Sequence, residues 1–254
     1  MKIGVSIVQV PATDAKVFPN QDKKYIETKD LKYVISPYDE YAIEEALKIK
    51  DQTGAEVFLL SVGPERAQTA LREGLALGAD RAILIQEEER YFDSYYISNL
   101  LANYLKKENA DIIFFGKLGV GFDHSQTPSM VSAILNLPFV NSITEIKIDG
   151  NKLNVKREIE GASLRYDLEM PCILSAEKGL NTPRFASLKG IMAAKKKPLE
   201  VLKAADLFQR EEKIELLSLE LPPQKGKGKI ITGEDPTKAA EELLKFLKEE
   251  AKIL

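Results

Sequence analysis

The stretch that decides the fold covers residues 114–130 and reads Phe-Phe-Gly-Lys-Leu-Gly-Val-Gly-Phe-Asp-His-Ser-Gln-Thr-Pro-Ser-Met. An apolar run ends at Gly116, glycines recur at Gly119 and Gly121, and a polar cluster precedes the return of apolar spacing at Met130. This order predicts a buried strand, a glycine-rich turn and the start of a helix. The turn suits an anion such as phosphate, because glycines permit close backbone approach and the first helical N–H groups lack internal partners.

The motif does not match a standard nucleotide fingerprint. His124 interrupts the three-glycine dinucleotide pattern, and the Gly-Lys-Ser/Thr ending of a P-loop is absent. A tight strand-to-helix connection without a ligand therefore stays open on this stretch alone. His124 either bonds a phosphate or ribose or is a capping, solvent-facing side chain, and the second is favoured because such turns hold anions mainly through backbone N–H groups.

Composition excludes several classes of protein. The chain has 254 residues, 44% hydrophobic and 30% charged, which suffices for one large domain or one domain with an appendage. A net charge of -3 argues against general nucleic-acid binding. Cys172 is the only cysteine, so it forms no internal disulfide, and we expect an inert core residue. The first residues enter a strand-like segment and no apolar run is membrane-length, so we expect a soluble cytoplasmic protein without a targeting peptide.

Strands and helices alternate along the first half of the chain. Strands are predicted at 3–10, 56–61, 81–86 and 112–115, and helices after 36, after 64 and over 94–107. Ser36 is predicted as N-cap, Pro37 as first helical residue and Asp39 as part of a capping box. This alternation predicts a parallel sheet that binds ligands beyond the carboxyl ends of its strands, at 10–11, 62–64 and 116–127.

The pattern changes after Pro138. Residues 143–148 and 152–159 flank an Asp-Gly-Asn turn, which predicts a hairpin, and 164–169 and 172–176 are two more short strands. Segment 177–198 combines apolar side chains, including Leu180, with turn formers and lysines. It is either an interaction surface or a loop folded back on the core. The chain from Leu199 is predicted to be weakly structured, with a linker at 222–229 and a final amphipathic helix.

The overall prediction is an α/β protein. Its parts are a Rossmann-like parallel sheet with flanking helices, an antiparallel extension and a C-terminal arm with a helix. We expect a nucleotide-binding core at 1–198 and a C-terminal arm at 199–254, whose helix docks either on this domain or on a partner.

Seven groups of residues, in chain order, resemble the small (beta) subunit of electron-transfer flavoproteins over nearly the whole chain. They are 8–11 (Val-Gln-Val-Pro), 36–47 (Ser-Pro-Tyr-Asp-Glu-Tyr-Ala-Ile-Glu-Glu-Ala-Leu), 76–82 (Ala-Leu-Gly-Ala-Asp-Arg-Ala), 116–117 (Gly-Lys), 125–127 (Ser-Gln-Thr), 157–161 (Arg-Glu-Ile-Glu-Gly) and 180–197, which begins Leu-Asn-Thr-Pro-Arg-Phe and ends Ala-Lys-Lys-Lys. The resemblance implies an adenine-nucleotide alpha-hydrolase-like fold. It also implies that the core at 1–198 includes a partner recognition loop at 176–198 and that the arm at 199–254 packs on the partner subunit.

The resemblance also implies a heterodimer. Its alpha subunit holds most of the redox-active FAD, while the beta subunit contributes contacts and buries an AMP. Electrons would come from flavin dehydrogenases, such as the acyl-CoA dehydrogenases of fatty acid oxidation, and pass to a quinone oxidoreductase or another acceptor.

By position, the resemblance implies three groups of site residues. The AMP pocket falls on Ser6, Ser36, Pro37, Tyr38, Asp39, Val62, Gly116, Lys117, Leu118, Gly119, Val120, Gly121, Phe122, Asp123, His124, Ser125, Gln126 and Thr127. Tyr38 aligns with an aromatic near the alpha-subunit flavin, and Glu158 with an acidic residue that positions the mobile flavin domain. Leu188 aligns with a leucine that enters a pocket on the dehydrogenase, with Phe185, Ile191, Met192 and Lys195 beside it.

Some residues depart from the family pattern. Ser36 and Ser125 replace common asparagines, and Pro128 replaces a glycine. Bifurcating members hold a second FAD where others hold AMP, often with Thr-Ala-Gln-Val around this loop. Gln126-Thr127 favours AMP, but the altered neighbours leave the second FAD as an alternative.

Two other functions stay open at this point. One is a free-standing adenine-nucleotide sensor, and the other an ATP-consuming ligase of the same fold. A ligase needs a glycine- and serine-rich loop after the first strand, which Val10-Pro11-Ala12-Thr13 does not provide. No nucleophile with a base and no metal-ligand constellation is apparent. We therefore expect an electron carrier subunit rather than an enzyme.

Overall fold

The computed structural model describes residues 1–88, 93–224, 226, 228–232 and 235–253. The chain divides into two compact units, Met1–Leu219 and Glu220–Leu254. The first unit is an α/β structure built on one large sheet, as predicted. Within the predicted linker, Lys225 and Lys227 lie outside the described residues.

The sheet of the first unit has nine strands, and its first seven in spatial order run parallel. The last two continue it as antiparallel neighbours. In spatial order the strands are β11 (Leu199–Lys203), β5 (Arg81–Gln86), β4 (Glu56–Gly63), β1 (Lys2–Ser6), β6 (Ile112–Gly116), β10 (Cys172–Ala176), β7 (Phe139–Asp149), β8 (Lys152–Ile159) and β9 (Ala162–Glu169).

Helices cover both faces of this sheet. They are α1 (Pro37–Thr53), α2 (Gln68–Leu77), α3 (Ser94–Glu108), α4 (Thr127–Leu135) and α5 (Leu188–Ala194). The apolar stripes of α1 and α2, with Ile43 and Leu71 fully buried, pack on one face. Those of α3 and α4, with Leu100 and Val131, pack on the other. Because both faces are covered, the central strands carry buried apolar residues on both faces.

The strand order reverses at β1, which pairs with β4 on one side and β6 on the other. The connections after β1 and β6 therefore diverge to opposite sides of the sheet. They leave a crevice beyond the carboxyl ends of the strands, where ligands of such folds bind.

The predicted strand at 3–10 is wrong in one respect, because it is two strands. The chain leaves the sheet after Ser6, and β2 (Gln9–Pro11) pairs antiparallel with β3 (Tyr33–Ile35). The break occurs because the N–H of Val8 is donated to the carboxylate of Asp39 at 2.7 Å, not to a neighbouring strand. The β2–β3 pair also closes the long polar connection between them.

The predicted hairpin at 143–159 is confirmed as β7 and β8, and β9 completes the antiparallel extension. Residues 172–176 instead form the central parallel strand β10, fully buried along its length. Cys172 is confirmed as a core residue, and burial raises the pKa of its thiol to about 12. The prediction of weak structure from Leu199 is wrong for 199–203, because these residues pair in parallel with β5 as an edge strand.

The second unit contains the predicted C-terminal helix, α6 (Pro236–Lys245), followed by a π-helical turn at Phe246–Glu250. Asp235 is its N-cap, accepting the N–H of Thr237 at 2.9 Å. Leu243 and Leu244 are about half exposed within this unit. Among all the described helices, none combines the length and apolar character needed to cross a membrane.

Candidate functional site

A cavity of about 150 Å³ lies in the crevice where the strand order reverses. Its walls come from the residues that follow β1 and β4, from the glycine-rich turn after β6, and from the first turns of α3 and α4. Twelve of the residues implied by the family resemblance line it together: Ser6, Asp39, Val62, Gly116, Lys117, Leu118, Gly119, Phe122, His124, Ser125, Gln126 and Thr127.

The other implied residues lie behind the cavity or beside it, and do not line it: Ser36, Pro37, Tyr38, Val120, Gly121 and Asp123. Ser36 is fully buried, and its hydroxyl donates to the carbonyl of Leu118 at 3.3 Å and accepts the N–H of Val120 at 3.4 Å. This hydroxyl therefore holds the glycine-rich turn against the start of α1. The predicted capping box is wrong, because the Ser36 side chain makes no cap bond to the helix.

Asp39 ties three chain segments together at the cavity. Its carboxylate accepts the N–H of Val8, beyond β1, at 2.7 Å and the N–H of Gly116, at the end of β6, at 3.0 Å. Burial raises the pKa of Asp39 to about 8, although both N–H bonds oppose the rise. Asp39 therefore fixes the floor of the cavity.

Gly116 is required by packing against α1 and not by close approach of a ligand. A Cβ atom on Gly116 would lie 2.7 Å from the carbonyl carbon of Tyr38 and 2.8 Å from the nitrogen of Asp39. It would also overlap the Asp39 carboxylate. These distances are shorter than van der Waals contact, so only glycine allows β6 to end against the first turn of α1.

The glycine-rich turn presents the N-terminus of α4 to the cavity. Gly121, Asp123 and Ser125 all adopt positive φ angles, so the turn reverses direction repeatedly before Thr127. No side chain caps the first turn of α4. Its N–H groups, together with the positive end of the helix dipole, provide an environment suited to an anion.

His124 lies at the rim, between the turn and α3. Its ring is solvent-exposed, and its Nδ1 atom is 3.3 Å from the hydroxyl of Ser94, the first residue of α3. Asp93 is the N-cap of that helix and also accepts the N–H of Ile214 at 3.1 Å. The histidine therefore bridges the two helix starts at the mouth of the cavity.

Sequence reasoning missed a second wall of the cavity. Gln9 and Arg66 form its polar part: the amide of Gln9 donates to the hydroxyl of Thr69 at 2.6 Å, and Arg66 stacks on Tyr33, 3.5 Å from the ring centre. The missed lining residues are Ile7, Val8, Gln9, Tyr25, Arg66, Ser94, Ile97, Leu101, Phe115 and Pro128, whereas Gly63 and Pro64 lie at the predicted strand end 62–64. Ile7, Val8, Gln9 and Phe115 lie within predicted strands, and helical residues such as Leu101 carry no sequence signal that separates them from core residues.

Lys117 and Tyr38 form a polar corner outside the glycine-rich turn. The Lys117 ammonium is 2.6 Å from the carboxylate of Glu177 and 5.9 Å from the centre of the Tyr38 ring. Its hydrogen bond to Glu177 raises the pKa of Lys117, so the side chain stays cationic. This charge is therefore balanced within the chain.

Glu158 lies far from the cavity, on the outer surface of β8. It accepts the hydroxyl hydrogen of Ser163 at 2.6 Å and pairs with the ammonium of Lys156, and these contacts lower its pKa. The carboxylate is therefore ionised and exposed.

The apolar side chains of 176–198 separate into two groups. Leu180 packs into the core, so at this residue the segment folds back on the core, which was one of the two predicted alternatives. The others face outward: Phe185 is 98% exposed, Leu188 77%, Met192 66% and Ile191 47%. Lys195 is exposed beside them. Single exposed apolar residues are ordinary, but four within eight residues form a patch.

No group of three or more histidine, cysteine, aspartate or glutamate side chains in the described part of the chain is arranged to hold a metal ion.

Comparison with known proteins identifies the family. The model of the electron transfer flavoprotein domain matches residues 24–207. The electron transfer flavoprotein subunit beta of Bacillus subtilis is 37% identical over 250 residues, covering 94% of this chain and 97% of its own length. The subunit beta of Syntrophomonas wolfei is 36% identical over 254 residues, covering 100% and 98%. The mitochondrial subunit beta of Arabidopsis thaliana is 34% identical over 258 residues, covering both chains completely. The chain therefore belongs to the electron transfer flavoprotein family, among its beta subunits.

Proposed function

We propose that this chain pairs with an alpha subunit, binds AMP in the cavity beyond β1 and β6, and helps to hold the FAD of the alpha subunit. The observation that carries the AMP assignment is the cavity itself, where an uncapped helix start faces an apolar wall. In this proposal the first turn of α4 and the Ser94 hydroxyl bind the phosphate. The apolar side chains of Val62, Ile97 and Leu101 enclose the base.

The residues of the cavity fit this ligand by their chemistry. A monophosphate needs N–H and hydroxyl donors, which the first turns of α3 and α4 supply without a free lysine or arginine. The base needs an apolar slot, and Asp39 holds the chain beyond β1 and the end of β6 at a fixed spacing. AMP is therefore proposed as a structural ligand.

Electron transfer in this proposal belongs to the flavin, which supplies the redox chemistry when bound. The chain provides recognition and position. Tyr38 lies beside the cavity and Lys117 lines it, on the side proposed to face the flavin, and Glu158 is proposed to orient the flavin-carrying domain. Residues 176–198 dock a flavin dehydrogenase, such as an acyl-CoA dehydrogenase, and a quinone oxidoreductase or another acceptor receives the electrons.

Nucleotide identification tests this proposal directly. The chain is purified with its copurifying partner, the complex is denatured, and the released nucleotides are separated and quantified by absorbance. We expect one FAD and one AMP per heterodimer. Two FAD without AMP would replace the AMP assignment by the bifurcating alternative, and a flavin-free homo-oligomer would overturn the proposal in favour of a nucleotide sensor.

Truncation of Leu188 tests the docking role. Leu188→Ala removes most of an exposed side chain that would be buried in the partner, and we expect a loss of about 2 kcal/mol in binding, roughly a thirtyfold rise in KM for the complex. The measurement is the rate at which an acyl-CoA dehydrogenase reduces the purified heterodimer. Flavin content should be unchanged, so equal loss of flavin and coupling would contradict an anchor role.

The segment that follows β11 is proposed as the arm that reaches the alpha subunit, with the half-exposed stripe of α6 as its contact. A cytoplasmic location stays a prediction, because one of the similar subunits is named mitochondrial.

A further inference from the structure

The exposed apolar patch of 185–192 stands on a segment that is fastened at both ends. The contacts before the patch go to α1, and those after it go to α2. Together, these two sets of contacts restrict the motion of the patch.

The first set of contacts is made by two buried acidic residues of α1, Glu44 and Glu45. Glu44 is 7% exposed and Glu45 5%. The Glu44 carboxylate accepts the backbone N–H of Arg184 at 3.0 Å and two guanidinium bonds from the same residue, at 2.8 and 3.1 Å. The guanidinium also reaches Asp51 at 2.9 Å. Glu45 accepts the amide of Asn181 at 2.8 Å.

The arginine and the phenylalanine that follows it point in opposite directions. Arg184 is held against α1, whereas Phe185 is 98% exposed. Holding the main-chain N–H and the side chain of Arg184 with one carboxylate fixes the backbone at the point where the apolar patch begins. The pair therefore sets the direction in which Phe185 leaves the surface.

The second fastening is made by α2. The Arg72 guanidinium donates to the carbonyls of Ala194 and Lys197, each at 2.7 Å. The ammonium of Lys197 donates to the carbonyls of Leu75 and Ala79 at 3.0 and 2.6 Å. A Cβ atom on Gly190 would overlap the carbonyl oxygen of Ala76, so α5 lies directly on α2.

We infer that the Glu44–Arg184 pair is a positioning element for partner docking, which holds residues 185–192 in the conformation that a flavin dehydrogenase binds. This inference rests on the proposed docking function. A loop that is already ordered loses less conformational entropy on binding, so its fastening contacts strengthen association without touching the partner. Arg184 and Glu44 thus act through Leu188 and its neighbours.

The test compares Arg184→Gln, Glu44→Gln and the double variant in the purified heterodimer. Hydrogen exchange of the backbone amides of 185–192 is measured without a dehydrogenase. The KM and kcat of an acyl-CoA dehydrogenase from the same organism are then measured with the heterodimer as electron acceptor. Arg210→Gln is the matched control, because it removes an arginine–glutamate pair, Arg210–Glu212, from a different segment.

We expect each single variant to speed exchange of these amides and to raise KM about tenfold, with kcat at saturation unchanged. The double variant should show the same exchange rate and the same KM as each single variant, because all three variants break the same Glu44–Arg184 contact. Leu188→Ala should raise KM without speeding exchange, and the control should change neither quantity.

Two results overturn the inference while leaving the docking function intact. Either exchange in 185–192 stays unchanged in both single variants, or exchange increases while KM stays at the wild-type value and Leu188→Ala still raises it. If Leu188→Ala also leaves KM unchanged, the docking function itself fails. Arg184→Lys keeps the charge but not the paired geometry, and an intermediate KM from this variant would support positioning even if the glutamine variants fold poorly.

Discussion

Gly116→Ala should destabilise the protein by about 3 kcal/mol and abolish nucleotide retention. The added Cβ would lie 2.7 Å from the carbonyl carbon of Tyr38, and backbone atoms of a helix anchored in the core cannot move aside cheaply. The strand end and α1 would have to separate, which breaks the bond from the Gly116 N–H to Asp39. Denaturant unfolding of the heterodimer and quantification of bound nucleotide measure the two effects.

Gly63→Ala is the matched control for this prediction. Gly63 also ends a parallel strand and lines the cavity, but a Cβ there would meet only the Cβ of Ala67, at 3.6 Å. We expect this variant to keep its nucleotide and to unfold at nearly the wild-type denaturant concentration. Similar behaviour of the two alanine variants would show that contact with α1 is not what requires glycine at position 116.

Asp39→Asn should reduce the free energy of unfolding by about 1–3 kcal/mol at pH 6. Both carboxyl oxygens accept backbone N–H bonds, and the NH₂ nitrogen of an amide cannot accept a hydrogen bond from either donor. One buried N–H would then lose its partner. Glu40→Gln, in the same helical turn but only partly buried, should cost much less. If both variants lost the same free energy of unfolding, Asp39 would not be the residue that links the chain beyond β1 to the end of β6.

The same variant should change how stability depends on pH. The pKa of Asp39 is raised by burial from its usual 3.8 to about 8, so between these values the folded protein holds a proton that the unfolded chain has released. The stabilising contribution is complete below pH 4 and is lost as pH rises towards 8. The stability difference between the wild type and Asp39→Asn should therefore shrink from pH 5 to pH 8. A constant difference across this range would show that Asp39 is ionised in the folded state.

Ligands of parallel sheets bind beyond the carboxyl ends of the strands, and this rule predicted the location of the site but not all of the residues that line it. The apolar runs at β1, β4 and β6 predicted a parallel sheet, and the carboxyl ends of these strands do meet at one cavity. Ser94, Ile97 and Leu101 reach the same cavity from α3, and their helical spacing predicted only that they pack. A lining residue on a helix is indistinguishable from a core residue until the helix is placed.

The functions of individual polar residues depended still more on the fold. The spacing of Ser36 and Asp39 fits a capping box, yet the Ser36 hydroxyl holds the glycine-rich turn and Asp39 joins Val8 to Gly116. The sequence likewise did not predict the burial of Glu44 and Glu45, because charged residues on a helix ordinarily face water. Contacts between segments more than a hundred residues apart, such as Glu44 with Arg184, carry no local pattern.

The sequence by itself determined the alternating α/β order, the hairpin extension, the helix starts at Pro37 and Pro236, and membership in a family whose residues recur in order. Each of these follows from local periodicity, turn chemistry or motif order, which depend on neighbours along the chain. Only the tertiary structure decided that residues 172–176 and 199–203 join the parallel sheet, that Gly116 packs against α1, and that buried carboxylates of α1 bind Asn181 and Arg184. These outcomes depend on which segments meet across the sheet, and burial and hydrogen-bond pairing are set there, not by sequence spacing.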